Sequence, residues 1–143
     1  MEFVRLTHLN DVGPLAAAAR TEGFNFLDRL VLEWNEGTNR FDTDDKALFG
    51  AYAGGELVGT AGLTHQRPGV GRVRRVYVNP AFRRRGIARR LMAEVLRFAE
   101  GKYDELVLFT DTERAAKMYE RLGFVPESSE GPDHATHRLR LGP

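Results

Sequence analysis

The chain has 143 residues, 42% hydrophobic and 29% charged, the balance of an ordinary folded domain rather than a disordered one. It contains no cysteine, which excludes a disulfide framework, a thiolate metal site and a cysteinyl acyl intermediate. No apolar run approaches the ~20 residues that span a bilayer and no cleavable leader pattern opens the chain, so it reads as one cytoplasmic domain over residues 1–143 without a membrane partner.

Alternating apolar and polar residues over 3–7 predict a first strand. Asn10 or Asp11 is the expected cap of a helix carrying Val12, Leu15, Ala16 and Ala19 on one face, and Phe26, Leu27, Leu30, Val31 and Trp34 repeat that spacing in a second helix. Polar residues 36–45 form a loop. Strands follow at 48–52 and 57–63, joined by Ala53-Gly54-Gly55 as a hairpin turn. A loop holding Pro68, Gly69 and Gly71 leads to a strand at 73–78, closed by Asn79-Pro80.

The clearest helix runs from 86 to about 100, with Ile87, Leu91, Val95 and Phe98 along one stripe. Residues 106–109 are continuously apolar, as in a central strand buried on both faces. A helix over 113–122 ends at Gly123; Phe124-Val125, a polar loop at 127–133 and a strand near 136–141 complete the chain. The order β-α-α-β-β-β-α-β-α-β-β implies an α/β fold: a mixed sheet with helices on both faces.

Charge is distributed unevenly despite a net value of +1. Residues 72–97 hold nine arginines against Glu94 alone, while residues 21–45 hold seven acids against Arg29 and Arg40. A basic centre of this kind points to a phosphate-bearing ligand. Within it, Val76-Tyr77-Val78-Asn79-Pro80 ends a strand, and Arg83-Arg84-Arg85-Gly86-Ile87-Ala88-Arg89 turns into a helix at glycine. A helix N-terminus presents unpaired N–H groups and a partial positive charge, and glycine lets a phosphate approach the backbone.

The Arg83, Gly86 and Ala88 spacing resembles the pyrophosphate-binding motif of GNAT-type N-acetyltransferases, Gln/Arg-x-x-Gly-x-Gly/Ala. Downstream, Ala115-Ala116-Lys117-Met118-Tyr119-Glu120-Arg121-Leu122-Gly123-Phe124 is similar to the family's alanine–tyrosine–Gly-Phe segment. Together the two motifs cover residues 73–125. The resemblance implies acetyl-CoA as co-substrate and direct transfer of its acetyl group to an amine. It implies that the backbone of Val76, Tyr77 and Val78 pairs with the pantetheine arm and that Arg83, Arg84, Arg85, Gly86, Ile87, Ala88 and Arg89 surround the pyrophosphate. Tyr119 matches the family's general acid, and no metal is required.

The expected partner is an amine-bearing acceptor, either a small molecule or a protein N-terminus or lysine, and not a nucleic acid; dimers are frequent among similar proteins. The sequence departs from the family's pattern at two places. Thr112 stands where asparagine is frequent, and can still cap a helix. Arg72, Arg74 and Arg75 occupy the strand positions where a glutamate base is common, leaving Glu33, His65 and the carboxylates at 42–45 as candidates. His8, His65, His134 and His137 lack metal-ligand spacing. A non-catalytic CoA-binding regulatory domain and an arginine-rich nucleic-acid-binding module are the competing readings.

Overall fold

The computed structural model describes residues 1–142. Strands β1 (Glu2–Arg5), β2 (Ala47–Ala53), β3 (Glu56–Arg67), β4 (Val70–Val78), β5 (Glu105–Leu108), β6 (Val125–Pro126) and β7 (His137–Arg140) form one sheet in the order β1-β2-β3-β4-β5-β7-β6. Its strand pairs are antiparallel except β4 with β5. Helices α1 (Gly13–Thr21), α2 (Phe26–Glu36), α3 (Ile87–Ala99) and α4 (Glu113–Arg121) connect the strands, with a short 3-10 turn at Pro80–Phe82.

Different helices cover the two faces, as the element order implies. The α3 stripe of Ile87, Leu91 and Val95 is buried with Met92 against Val58, Ala61, Leu63 and Val73 of the sheet. Complete burial of each such side chain contributes about 1.5–3 kcal/mol. On the other face α1 and α2 close over Leu48 and Tyr77 with Leu15, Leu27 and Leu30. The apolar run of β5 lies inside the sheet, where Leu106, Val107 and Leu108 are buried.

The feature that shapes the site lies in β4. Thr60 pairs with Tyr77 and Gly62 with Arg74, so Arg75 and Val76 together oppose Ala61 in a β-bulge. Arg75 takes a left-handed φ of 57°, and the buried Thr60 hydroxyl donates to its carbonyl at 2.7 Å. A bulge adds local twist and bends its strand. Pairing between β4 and β5 runs only through Val70, Gly71 and Arg72; beyond Arg72 the two strands diverge and the remaining edge of β4 opens towards α4.

Two local expectations are corrected. Neither Asn10 nor Asp11 caps α1: the cap position is Val12, without a side-chain bond, and the Asp11 carboxylate instead accepts from the Tyr52 hydroxyl at 2.8 Å. Gly71 is not a loop residue but lies within β4, which begins at Val70. A Cβ there would sit 2.9 Å from both Leu106 and Tyr103, so glycine serves close packing rather than a turn.

Candidate active site

Where β4 and β5 part, a cleft of about 980 Å³ runs between β4, the start of α3 and one face of α4. Nine of the ten residues expected to meet the cofactor line it: Val76, Tyr77, Val78, Arg83, Arg84, Gly86, Ile87, Ala88 and Arg89. Arg85 is not among the lining residues; its guanidinium lies over the Phe82 ring at 5.0 Å. Arg114, Met118 and Arg121 of α4 also line the cleft. Their spacing of four and three residues puts them on one helical face, a signal present in the sequence but not used there.

The loop before α3 gathers backbone amides. Arg84 and Gly86 are both left-handed, with φ of 65° and 77°, and left-handed residues alternating with right-handed or extended ones turn successive amides into a shared concavity. The N-terminus of α3 has no side-chain cap and no acidic residue in its first turn. In contrast, α4 is capped by the Thr112 hydroxyl accepting from the Ala115 amide at 3.3 Å and carries Glu113 in its first turn. Arginines at the positive end of a helix oppose its dipole, so Arg89 beside the uncapped end breaks a local stability rule, as functional sites do.

Arg83 has a separate task. Its Nε donates to the Val78 carbonyl at 3.2 Å and its Nη1 to Glu22 at 2.9 Å, tying the arginine loop back to β4 and to the end of α1. Glu22 also accepts from the Tyr77 hydroxyl. The Arg83 guanidinium holds the Glu22 carboxyl well below its ordinary range, at about 2. Burial, with the bond to Glu22, pushes the Tyr77 phenol up to about 12. Glu22 is thus a fixed anion that organises the loop, and sequence reasoning missed it because 61 residues separate it from Arg83.

Tyr119 reaches the cleft from α4, 6% exposed, with its ring edge-on to Phe124 at 5.8 Å. Its hydroxyl has no hydrogen-bond partner among the described residues, and burial raises its pKa above that of a free phenol. The group stays protonated throughout the neutral range and can give a proton to an anion generated in the cleft.

The candidate bases lie elsewhere. Glu33 on α2 accepts from Arg75 at 3.1 Å, His65 sits 3.8 Å from Asp45, and Asp45 accepts from the Thr43 hydroxyl at 2.7 Å; none is among the residues lining the cleft. His137 is buried between Thr136 and Glu120, 2.9 Å from each. Among the described residues no three His, Cys, Asp or Glu side chains gather as metal ligands, and no helix is long and apolar enough to cross a membrane.

The mixed sheet parts around an uncapped helix N-terminus flanked by arginines, with a protonated phenol on the opposite wall. Comparison with known proteins gives the family. The model of the acetyltransferase (GNAT) family matches residues 10–124, and the chain belongs to that family. It is 41% identical over 78 residues to the N-alpha-acetyltransferase RimI of Mycobacterium tuberculosis (strain ATCC 25618 / H37Rv), an alignment covering 52% of this chain and 49% of that protein. The chain thus spans about half the length of that curated relative. A crystal structure from Exiguobacterium sp. 255-15, of a protein assigned to the acetyltransferases, is 30% identical with a TM-score of 0.85, covering 97% of this chain and 92% of that one. The PaiA N-acetyltransferase of Thermoplasma acidophilum, solved in complex with coenzyme A, shares the fold at 16% identity and a TM-score of 0.68, covering 98% and 99%.

Proposed function

We propose that this chain acts as one N-acetyltransferase domain that moves the acetyl group of acetyl-CoA directly onto an amine, with Tyr119 as general acid. The observation that carries the reading is the joining, in one cleft, of the uncapped α3 N-terminus beside Arg84 and Arg89 with the buried, protonated Tyr119. Membership of the acetyltransferase family supports it, as does the coenzyme A complex of the PaiA protein with the same fold.

The fit to the substrate rests on three features of the protein. A Cβ built on Gly86 meets no atom within 4 Å, so the backbone there faces open space that a diphosphate can enter. Arg84, Arg89, Arg114 and Arg121 supply planar guanidinium donors whose geometry suits phosphate oxygens. The edge of β4 beyond Arg72 is not engaged by β5, leaving Val76 to Val78 to pair with an extended, amide-bearing arm as a further strand would.

Acetyl-CoA supplies an acyl group activated by a thiolate leaving group. The amine nitrogen forms the new C–N bond as the C–S bond breaks, and an amide N–H of the β4 edge stabilises charge on the carbonyl oxygen. The Tyr119 proton passes to the departing sulfur. The proton lost by the amine leaves to solvent, and Tyr119 is reprotonated. The test is acetyl-CoA-dependent release of free thiol across a panel of amines. Saturable turnover with at least one amine is expected; cofactor binding without thiol release from any would favour the regulatory-domain reading.

A further inference from the structure

The arginines of β4 stand apart from the cofactor cleft. Val73 points into the core beneath α3, so strand alternation sends Arg72 and Arg74 to the opposite face, the one covered by α2. The bulge re-aims Arg75 to join them, where its Nη2 meets Glu33 of α2 at 3.1 Å. Arg29 and Glu33, both on α2, are near enough for their charges to act on Arg74 and Arg75. Of these four guanidinium groups only Arg75 is ion-paired among the described residues, to Glu33.

Burial makes this imbalance costly. The Arg75 side chain is only 5% exposed. Desolvation, and then the neighbouring guanidinium charges, depress the pKa of Arg72, Arg74 and Arg75 alike. The Nε atoms of Arg72 and Arg75 are buried without a hydrogen-bond partner among the described residues, whereas buried polar atoms in folded proteins are almost always paired. The Arg75–Glu33 pair accounts for one Nη and for neither Nε. The Arg72 guanidinium carbon lies 4.4 Å from the centre of the Phe109 ring, a contact that pairs none of its N–H groups.

We infer that Arg72, Arg74 and Arg75 form a receptor for an oxyanion carried by the acceptor, so that the amine acetylated belongs to a small, amino-acid-like molecule. This rests on the acetyltransferase reading and names its substrate class. Arg74 and Val76 flank the Arg75 bulge on one strand, and Val76 lines the cofactor cleft. An acceptor whose amine is presented beside Val76 and whose anion meets the arginines must carry the two groups close together, as an amino acid does. Planar guanidinium edges suit the paired oxygens of carboxylate and phosphonate alike, so chemistry of either kind fits.

The test uses the full chain with saturating acetyl-CoA and compares thiol release for L-amino acids, the matching amino-acid amides and 1-aminoalkylphosphonates. The oxyanion-bearing amines are expected to exceed the amides in kcat/KM by about tenfold or more, a difference of about 1.4 kcal/mol, and the ranking of carboxylate against phosphonate identifies the source of the oxyanion. In Arg74→Gln and Arg72→Gln, which remove no observed hydrogen bond, that preference should fall about tenfold through KM, while the acetyl-CoA Kd from calorimetry stays unchanged. Equal kcat/KM for acids and amides, an unchanged preference in both variants, or no acid acetylated by protein that binds acetyl-CoA would overturn the receptor alone. Failure to bind acetyl-CoA would overturn the acetyltransferase reading as well.

Discussion

Substituting Gly86 separates the cost to the fold from the cost to the cofactor. Gly86 has φ 77° and ψ 13°, a left-handed conformation that costs an L-residue about 1–2 kcal/mol and a β-branched one towards the upper end. A Cβ there meets nothing within 4 Å, so the Cβ of Gly86→Val adds no clash with the protein, and the backbone conformation should lower stability by about 2 kcal/mol or less. Bound diphosphate changes the arithmetic, because the valine methyl groups fill the space through which the anion approaches. Losing two charge-assisted amide bonds of about 1.5–3 kcal/mol each weakens acetyl-CoA binding by about 3–6 kcal/mol, roughly 10²- to 10⁴-fold in Kd. Urea unfolding measures the first quantity and isothermal titration calorimetry the second. A folded Gly86→Val protein whose acetyl-CoA Kd stays within about threefold of wild type would refute the reasoning.

Tyr119→Phe keeps the edge-on packing with Phe124 and removes only the hydroxyl; we expect kcat to fall by about 10²-fold or more with acetyl-CoA Kd nearly unchanged, and an undiminished kcat would remove Tyr119 from the mechanism. Asp133, whose side chain is 1% exposed between Arg67 and Arg138, has its carboxyl held at about 2, chiefly by the bond from Arg67. Because this folded-state value lies below the ordinary one, the stabilisation, about 2 kcal/mol, is complete above about pH 4 and is lost as pH falls towards 2. The stability gap between wild type and Asp133→Asn should therefore shrink from pH 7 to pH 2 in urea titrations, and a gap independent of pH would show that the charge is not what Asp133 contributes.

What could be read from the sequence was whatever the chain encodes locally. The α3 stripe of Ile87, Leu91 and Val95 repeats at helical spacing, and the turn at Gly86 needs a residue tolerant of positive φ; both are visible within a few positions. Thr112 as the cap of α4 is equally local. The remainder depends on partners distant in sequence. Gly71 resembles a turn residue until Leu106 and Tyr103 pack against it, and Glu22 is one acid among seven until the fold brings it to Arg83 and Tyr77. The β4 arginines read only as residues at strand positions where a glutamate is common, since a bulge fixed by Thr60, fifteen residues before Arg75, leaves no local signature. Arg67 and Arg138 likewise close on Asp133 from 66 and 5 residues away, fixing a segment that composition alone marks only as a polar loop.

The account stands most directly on where the nucleotide sits. A crystal structure of the chain with coenzyme A should place the diphosphate within hydrogen-bonding distance, about 2.7–3.2 Å, of the backbone amides between Arg84 and Ala88, with the thiol end directed towards Tyr119. A diphosphate bound away from the start of α3, or a thiol end turned away from Tyr119, would contradict it.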